Sequence, residues 1–223
     1  MNLDTYITFY SHSPKWFLGI DSFIEAFIVI IALIIAIYSY KVFKFSQNKN
    51  YFYLTLSFLL ISISYLFKIV TDIAYITIER EIQLLLSIFL NESLVAISSI
   101  TIIIHKLLLI VGLLIALYLT CKKFNYIYFI IISFFIILLT FTLYSYQLFL
   151  LLTFTINLVI VLNLTFFNKK PNSILSLFFI YLTITYFILF LTPFIPVCYV
   201  LGHLALLVSY LILLFTLIKI FRK

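Results

Sequence analysis

The stretch Ser64–Tyr75, SYLFKIVTDIAY, places a lysine and an aspartate four residues apart inside a long apolar run. At this spacing Lys68 and Asp72 share one face of a helix and can form an ion pair. Ionisable side chains are costly inside a membrane, so they are functional candidates there. Other apolar runs contain Glu25, the pair His105 and Lys106, and His203.

The composition identifies the environment of these charges. The 223-residue chain is 66% hydrophobic and 9% charged, and its mean hydropathy is +1.30. A soluble domain needs more polar surface than this. We therefore predict an all-α integral membrane protein whose main partner is the lipid bilayer. The first 20 residues lack a signal-peptide pattern, so we expect the first membrane helix to direct insertion.

Apolar runs between polar breaks predict seven transmembrane helices, because about 20 residues cross a hydrocarbon core of about 30 Å. Their approximate bounds are 20–41, 51–77, 95–120, 125–144, 148–167, 173–192 and 198–220. Residues 79–92 form a shorter apolar run with charged ends, which we expect to lie on the outer surface as an interfacial helix. The whole chain, 1–223, is then a single polytopic membrane domain.

The basic residues predict the orientation. The segments after helices one, three, five and seven contain ten basic residues and no acidic one: Lys41, Lys44, Lys49, Lys122, Lys123, Lys169, Lys170, Lys219, Arg222 and Lys223. By the positive-inside rule the N-terminus is outside and the C-terminus is cytosolic, in the cell (plasma) membrane. The basic inner face could also bind anionic lipid or an acidic partner.

Counting residues from the cytosolic ends places four ionisable side chains at one depth. Glu25, Lys68, His105 and His203 each lie 16 to 18 residues from a basic or polar anchor, which is about 24–27 Å along a helix. Asp72 lies one turn above Lys68. We therefore predict a polar layer in the outer leaflet.

Small and hydroxylated residues predict that these groups face the interior of the bundle, because such residues mark close contacts between membrane helices. One stripe comprises Ser57, Ser64, Lys68, Thr71 and Tyr75 on helix two; the other comprises Ser98, Thr101, His105, Gly112 and Ala116 on helix three. Helix five adds Asn157, a buried amide that needs a hydrogen-bond partner.

The polar layer favours a receptor or sensor with a small polar site open to the outside. Its lining would be Glu25, Lys68, Asp72, His105, Lys106 and His203, with Tyr75 and Tyr199 at the rim. It would bind a small polar molecule, or its histidines would titrate and report external pH. Because the inner loops are short, a cytosolic or membrane protein partner would have to read the change.

Other functions stay open. The chain could be a transport or proton-relay protein, or a membrane subunit of a larger complex, although the inner halves of the helices are nearly all apolar. It could also be a scaffold, and the charges could be purely structural, with Lys68 and Lys106 extending to the headgroups.

An enzyme is the less favoured interpretation. His105 and His203 could in principle ligate zinc with Asp72 or Glu25, but they come singly from separate helices, without an H-E-x-x-H or G-x-S-x-G motif. We expect no metal, no cofactor and no nucleic-acid partner.

Overall fold

The structure is a computed structural model, and it describes residues 14–82, 88–120, 126–142, 146–167 and 173–221. These residues form seven α-helices: α1 Ile20–Ser46, α2 Lys49–Ile82, α3 Ile88–Thr120, α4 Tyr126–Thr142, α5 Tyr146–Leu162, α6 Ser173–Phe190 and α7 Val197–Phe221. A 3₁₀ turn, Lys15–Phe17, precedes α1, and a π-helical turn, Asn163–Phe167, continues α5. The predicted all-helical class is confirmed.

Five helices in the described ranges are long and apolar enough to cross a membrane: α1, α2, α3, α5 with its π-helical turn, and α7. Helices α4 and α6 are apolar but shorter, with 17 and 18 residues. They therefore extend about 26 Å, against a hydrocarbon thickness of about 30 Å. By length and composition, five of the described helices are able to cross a membrane. The sequence analysis predicts seven transmembrane helices.

Two helix ends differ from the predicted bounds for local reasons. Helix α6 was expected to reach residue 192, but it ends at Phe190, because Pro193 and Pro196 follow and proline disfavours a helix in the residue before it. Helix α1 was expected to end near residue 41, but it continues to Ser46. Gln47 ends it in a left-handed conformation (φ 54°), with its N–H donating to the Phe43 carbonyl at 2.8 Å.

The interfacial helix predicted for residues 79–92 is not a separate element where the structure describes this stretch. Residues 79–82 continue α2 and residues 88–92 begin α3, whereas residues 83–87 lie outside the described ranges. Extending an existing helix adds one hydrogen bond per residue, which costs less than nucleating a new one. A position of this segment on the outer surface stays a prediction.

Six helices close a ring around the buried polar side chains. Helices α1, α2 and α3 pack in chain order, as do α5, α6 and α7, and the two groups meet where α3 contacts α5 and α7 contacts α1. Helix α4 packs against α3, and large apolar side chains along it, including Phe134 and Phe135, are exposed. The exposed surfaces suit contact with lipid, where an α-helix keeps its backbone groups hydrogen-bonded.

The α2–α3 interface is held by the two stripes predicted from the sequence. The Ser57 hydroxyl donates to the Gly112 carbonyl at 2.8 Å, and the hydroxyls of Thr71 and Thr101 lie 2.8 Å apart. A Cβ at Gly112 would lie 2.9 Å from Ile61 Cγ1 and 3.1 Å from the Ser57 carbonyl oxygen. The helices therefore approach closely because residue 112 lacks a side chain, and the predicted contact face is confirmed.

We expect Gly112→Leu to separate α2 from α3 and to destabilise the protein by about 1–3 kcal/mol, the usual cost of overpacking. Thermal unfolding in detergent or nanodiscs measures the effect. Ala96→Leu, which enlarges an exposed side chain on the same helix, is the matched control and should unfold like the parent protein. Equal stability of the two variants would contradict the close contact.

Candidate functional site

A buried lysine joins two helices at the centre of the polar layer. The Lys68 ammonium group, on α2, forms an ion pair with Glu25 Oε1 on α1 and lies 3.2 Å from Asp72 Oδ2, one turn along its own helix. Lys68 is 4% exposed, Asp72 1% and Glu25 0%. A buried charge requires such partners, because its transfer from water is otherwise prohibitively costly.

His203 brings α7 into the same group. Its Nδ1 lies 2.9 Å from the Tyr199 carbonyl oxygen, which can only accept, so Nδ1 is the donor. Its Nε2 lies 3.5 Å from Glu25 Oε1. In a neutral ring Nε2 carries no proton, so its lone pair faces an ionised Glu25 carboxylate and the two repel each other. A proton on either group replaces the repulsion with attraction, so the pair is suited to binding one proton.

The N-terminal end of α1 closes the group on one side. Asp21 is 1% exposed; its Oδ1 accepts hydrogen bonds from the backbone N–H groups of Gly19 and Ser22 at 2.9 and 2.8 Å. Its Oδ2 accepts one from the Tyr199 hydroxyl at 2.7 Å. A carboxylate in the first turn is also stabilised by the helix dipole. Asp21 thus fixes the start of α1 against α7.

Phe17 covers this end of the site. Its ring is 2% exposed and meets the rings of Tyr199 and His203 edge-on, with both centroid distances 5.9 Å. Gly19, with φ +94°, makes the left-handed turn that links the Phe17 segment to α1. Trp16 is 68% exposed and contacts Phe17. Phe17 therefore shields His203 at this end of the site.

His105 is held differently from His203, although both are buried in the same region. Its Nδ1 lies 3.1 Å from the Ser64 carbonyl oxygen and 2.8 Å from the Ser64 hydroxyl, which itself donates to the His105 carbonyl at 3.0 Å. These reciprocal contacts join α2 to α3. His105 therefore combines a packing role with its position at the site.

A small cavity lies beneath the ion pairs. It is lined on its polar side by Glu25, Lys68, His105, His203 and the tyrosines Tyr65, Tyr146 and Tyr186. The space open to the centre of a water molecule is about 20 Å³, enough for about one water. The conformation described thus has an occluded polar site and not an open ligand pocket.

The remaining predicted residues lie around this cluster. Lys106 is 6% exposed, with its ammonium 5.6 Å from the Tyr146 ring centroid and 5.8 Å from that of Phe149, an arrangement that favours a cation. Tyr75 is half-buried. Tyr199 was expected at the rim, but it is fully buried because its hydroxyl binds Asp21.

Asn157 is fully buried on α5, and only one side of its amide is satisfied. Its Nδ2 donates to the Thr153 carbonyl at 2.7 Å, within the same helix. Its Oδ1 has no hydrogen-bond partner among the described residues. The predicted hydrogen-bond partner is therefore present for Nδ2 but not for Oδ1 among the described residues. Asn157 does not line the cavity.

The sequence reasoning missed Asp21 and the buried tyrosines. Asp21 lies near the start of the first apolar run and resembles an ordinary boundary charge, although its place in a first turn is a capping signal. Tyr65 and Tyr186, whose hydroxyls lie 3.3 Å apart, are each 3% exposed. In a chain with 17 tyrosines, composition does not distinguish these two.

Within the described ranges, no three His, Cys, Asp or Glu side chains are arranged to hold a metal ion. Comparisons with protein-family models, curated proteins and solved structures find no match for this chain. The geometry of the buried cluster is thus the basis for a functional proposal.

We expect Lys68→Met to destabilise the protein by about 3–5 kcal/mol, because it leaves two carboxyl groups buried without their cation. The triple variant Lys68→Met, Glu25→Gln, Asp72→Asn should recover most of the loss, because no unpaired charge remains. Thermal unfolding at neutral pH measures both. Lys49→Met, at an exposed position on α2, is the control, and a fully stable Lys68→Met variant would contradict the ion-pair geometry.

Proposed function

We propose that this chain is a proton sensor of the cell membrane, in which Glu25 and His203 bind a proton that enters from the outside. In this proposal all seven helices cross the membrane, with the N-terminus outside and the basic helix ends in the cytosol. The positive-inside distribution supports this orientation. The shorter α4 and α6 would be accommodated by local thinning of the bilayer.

The contact between His203 Nε2 and Glu25 Oε1 carries the proposal. A proton needs no binding volume, and the small cavity leaves room for little else. A small-molecule receptor, the other sensor predicted from the sequence, would require the cluster to open first. Occlusion therefore favours the proton as the ligand of this conformation.

Proton binding at this pair would alter the packing of three helices. Glu25 Oε1 contacts both His203 on α7 and Lys68 on α2. When Glu25 becomes neutral, Lys68 retains Asp72 but loses its second carboxylate. When His203 becomes charged, it competes with Lys68 for the same oxygen. In either case the α1–α2 and α1–α7 contacts change in strength, which is the signal that a partner protein would read.

The sole tryptophan of the chain provides the readout. Trp16 contacts Phe17, and Phe17 contacts His203. We expect Trp16 fluorescence in nanodiscs to change as the pH is lowered from about 8 to 5, the interval in which histidine and perturbed carboxyl groups exchange protons in proteins. The change should disappear in Glu25→Gln and in His203→Gln.

His105→Gln is the matched control, because it removes a second histidine that lines the same cavity. We expect it to lower thermal stability, through loss of the Ser64 contacts, while the fluorescence titration persists. A titration abolished by His105→Gln and retained in His203→Gln would contradict the proposal. So would a parent protein whose fluorescence does not respond to pH.

Proton conduction is a second candidate, favoured by two pairs of buried hydroxyl groups, the first of which lines the cavity. Tyr65 Oη and Tyr186 Oη lie 3.3 Å apart, and Thr185 Oγ1 lies 3.5 Å from Ser209 Oγ. All four side chains are buried. Such groups can pass a proton when water links them into a series, whereas a sensor needs only the Glu25–His203 pair.

Liposomes containing a pH-sensitive dye distinguish conduction from sensing. If the chain conducts, an external acid pulse should acidify the lumen faster than in empty liposomes, and Tyr186→Phe should slow the flux by removing a hydroxyl from the series. Tyr181→Phe is the control, because Tyr181 is 39% exposed on the same helix. Flux equal to that of empty liposomes would contradict conduction and leave the sensor proposal intact.

A further inference from the structure

A long groove lies between α1 and α2 at the opposite end from the charged cluster. Its volume is about 850 Å³, within the range of about 300–1,000 Å³ typical of ligand pockets. Apolar side chains form most of its walls, among them Leu33 and Ile37 from α1 and Leu56 and Leu59 from α2. All four are more than a third exposed, so the groove opens on the surface of the bundle.

The length of the groove matches one leaflet of a bilayer. Along α1 it extends from Leu33 to beyond Lys44, which is about 16 Å at the helical rise. Half of a hydrocarbon core of about 30 Å has nearly this depth. The groove is therefore deep enough for an extended acyl chain that enters from the membrane surface next to residues 41–44.

The mouth of the groove is positively charged. Lys41 and Lys44 both line it and are exposed, and no acidic residue is among the lining side chains. The Lys41 ammonium lies 5.6 Å from the Tyr38 ring centroid. Two cations at the headgroup end of an apolar channel complement a molecule with an anionic head and a hydrocarbon tail.

We propose that this groove is a binding site for one anionic phospholipid, with an acyl chain between α1 and α2 and its phosphate on Lys41 and Lys44. The site is separate from the proton-binding cluster and does not depend on it. A second copy of the chain docked through the same face would bring Lys41 and Lys44 against their equivalents, and the repulsion of like charges disfavours that occupant.

Native mass spectrometry of the detergent-purified protein tests the site, with dioleoylphosphatidylglycerol and dioleoylphosphatidylcholine added at equal concentrations. We expect preferential retention of one phosphatidylglycerol. Lys41→Gln and Lys44→Gln should each weaken its retention about fivefold, the equivalent of about 1 kcal/mol per lysine near an anionic headgroup. Thr55→Phe, which enlarges a half-buried side chain in the groove, should weaken the retention of both lipids.

Lys49→Gln is the control, because Lys49 is exposed at the same end of the bundle but does not line the groove. Circular dichroism and elution volume establish that each variant is folded. Equal losses in all three lysine variants would overturn the proposal in favour of a diffuse basic surface. Unchanged lipid retention in Thr55→Phe would also overturn the proposal. So would a parent protein that forms a dimer without retained lipid, if Thr55→Phe dissociates that dimer.

Discussion

The burial of the Lys68 ammonium group is the constraint on which the bundle depends. It requires Glu25 from α1 and Asp72 from its own helix, and Glu25 in turn contacts His203 on α7. Hydrogen bonds between membrane helices contribute on average about 0.6 kcal/mol, whereas an unpaired buried charge costs about 3–5 kcal/mol. The Lys68–Glu25 contact between α1 and α2 is therefore more sensitive to the loss of one partner than the hydroxyl contacts between α2 and α3.

The two histidines that line the cavity show how one residue type takes different roles in different surroundings. In both rings Nδ1 faces a backbone carbonyl oxygen, of Ser64 for His105 and of Tyr199 for His203. His203 presents its Nε2 to a carboxylate, whereas His105 packs edge-on against the rings of Tyr65 and Phe149. The position of each histidine along its helix does not distinguish these environments, because they depend on contacts with helices that are distant in the chain.

Residue counting along helices predicted much of the site because helical rise is nearly constant. It placed Glu25, Lys68 and His203 at one depth, and the structure brings them into contact. It did not predict that Phe17 covers them, because that contact depends on a turn at Gly19. The hydroxylated stripes identified the α2–α3 face, but the groove between α1 and α2 is lined mostly by ordinary apolar residues, and only its two lysines were singled out in the sequence, as part of the basic inner face.

The ring order has a consequence for biogenesis. Helices α1 to α3 contact one another in chain order, whereas α7, which is synthesised after all of them, returns to α1. Glu25 and Lys68 can therefore pair while the ribosome is still adding residues. His203 and the Tyr199 hydroxyl reach Glu25 and Asp21 only after α7 has packed against α1. Until then, Asp21 lacks its bond from the Tyr199 hydroxyl and Glu25 has Lys68 without His203, so the first three helices form an incomplete polar cluster.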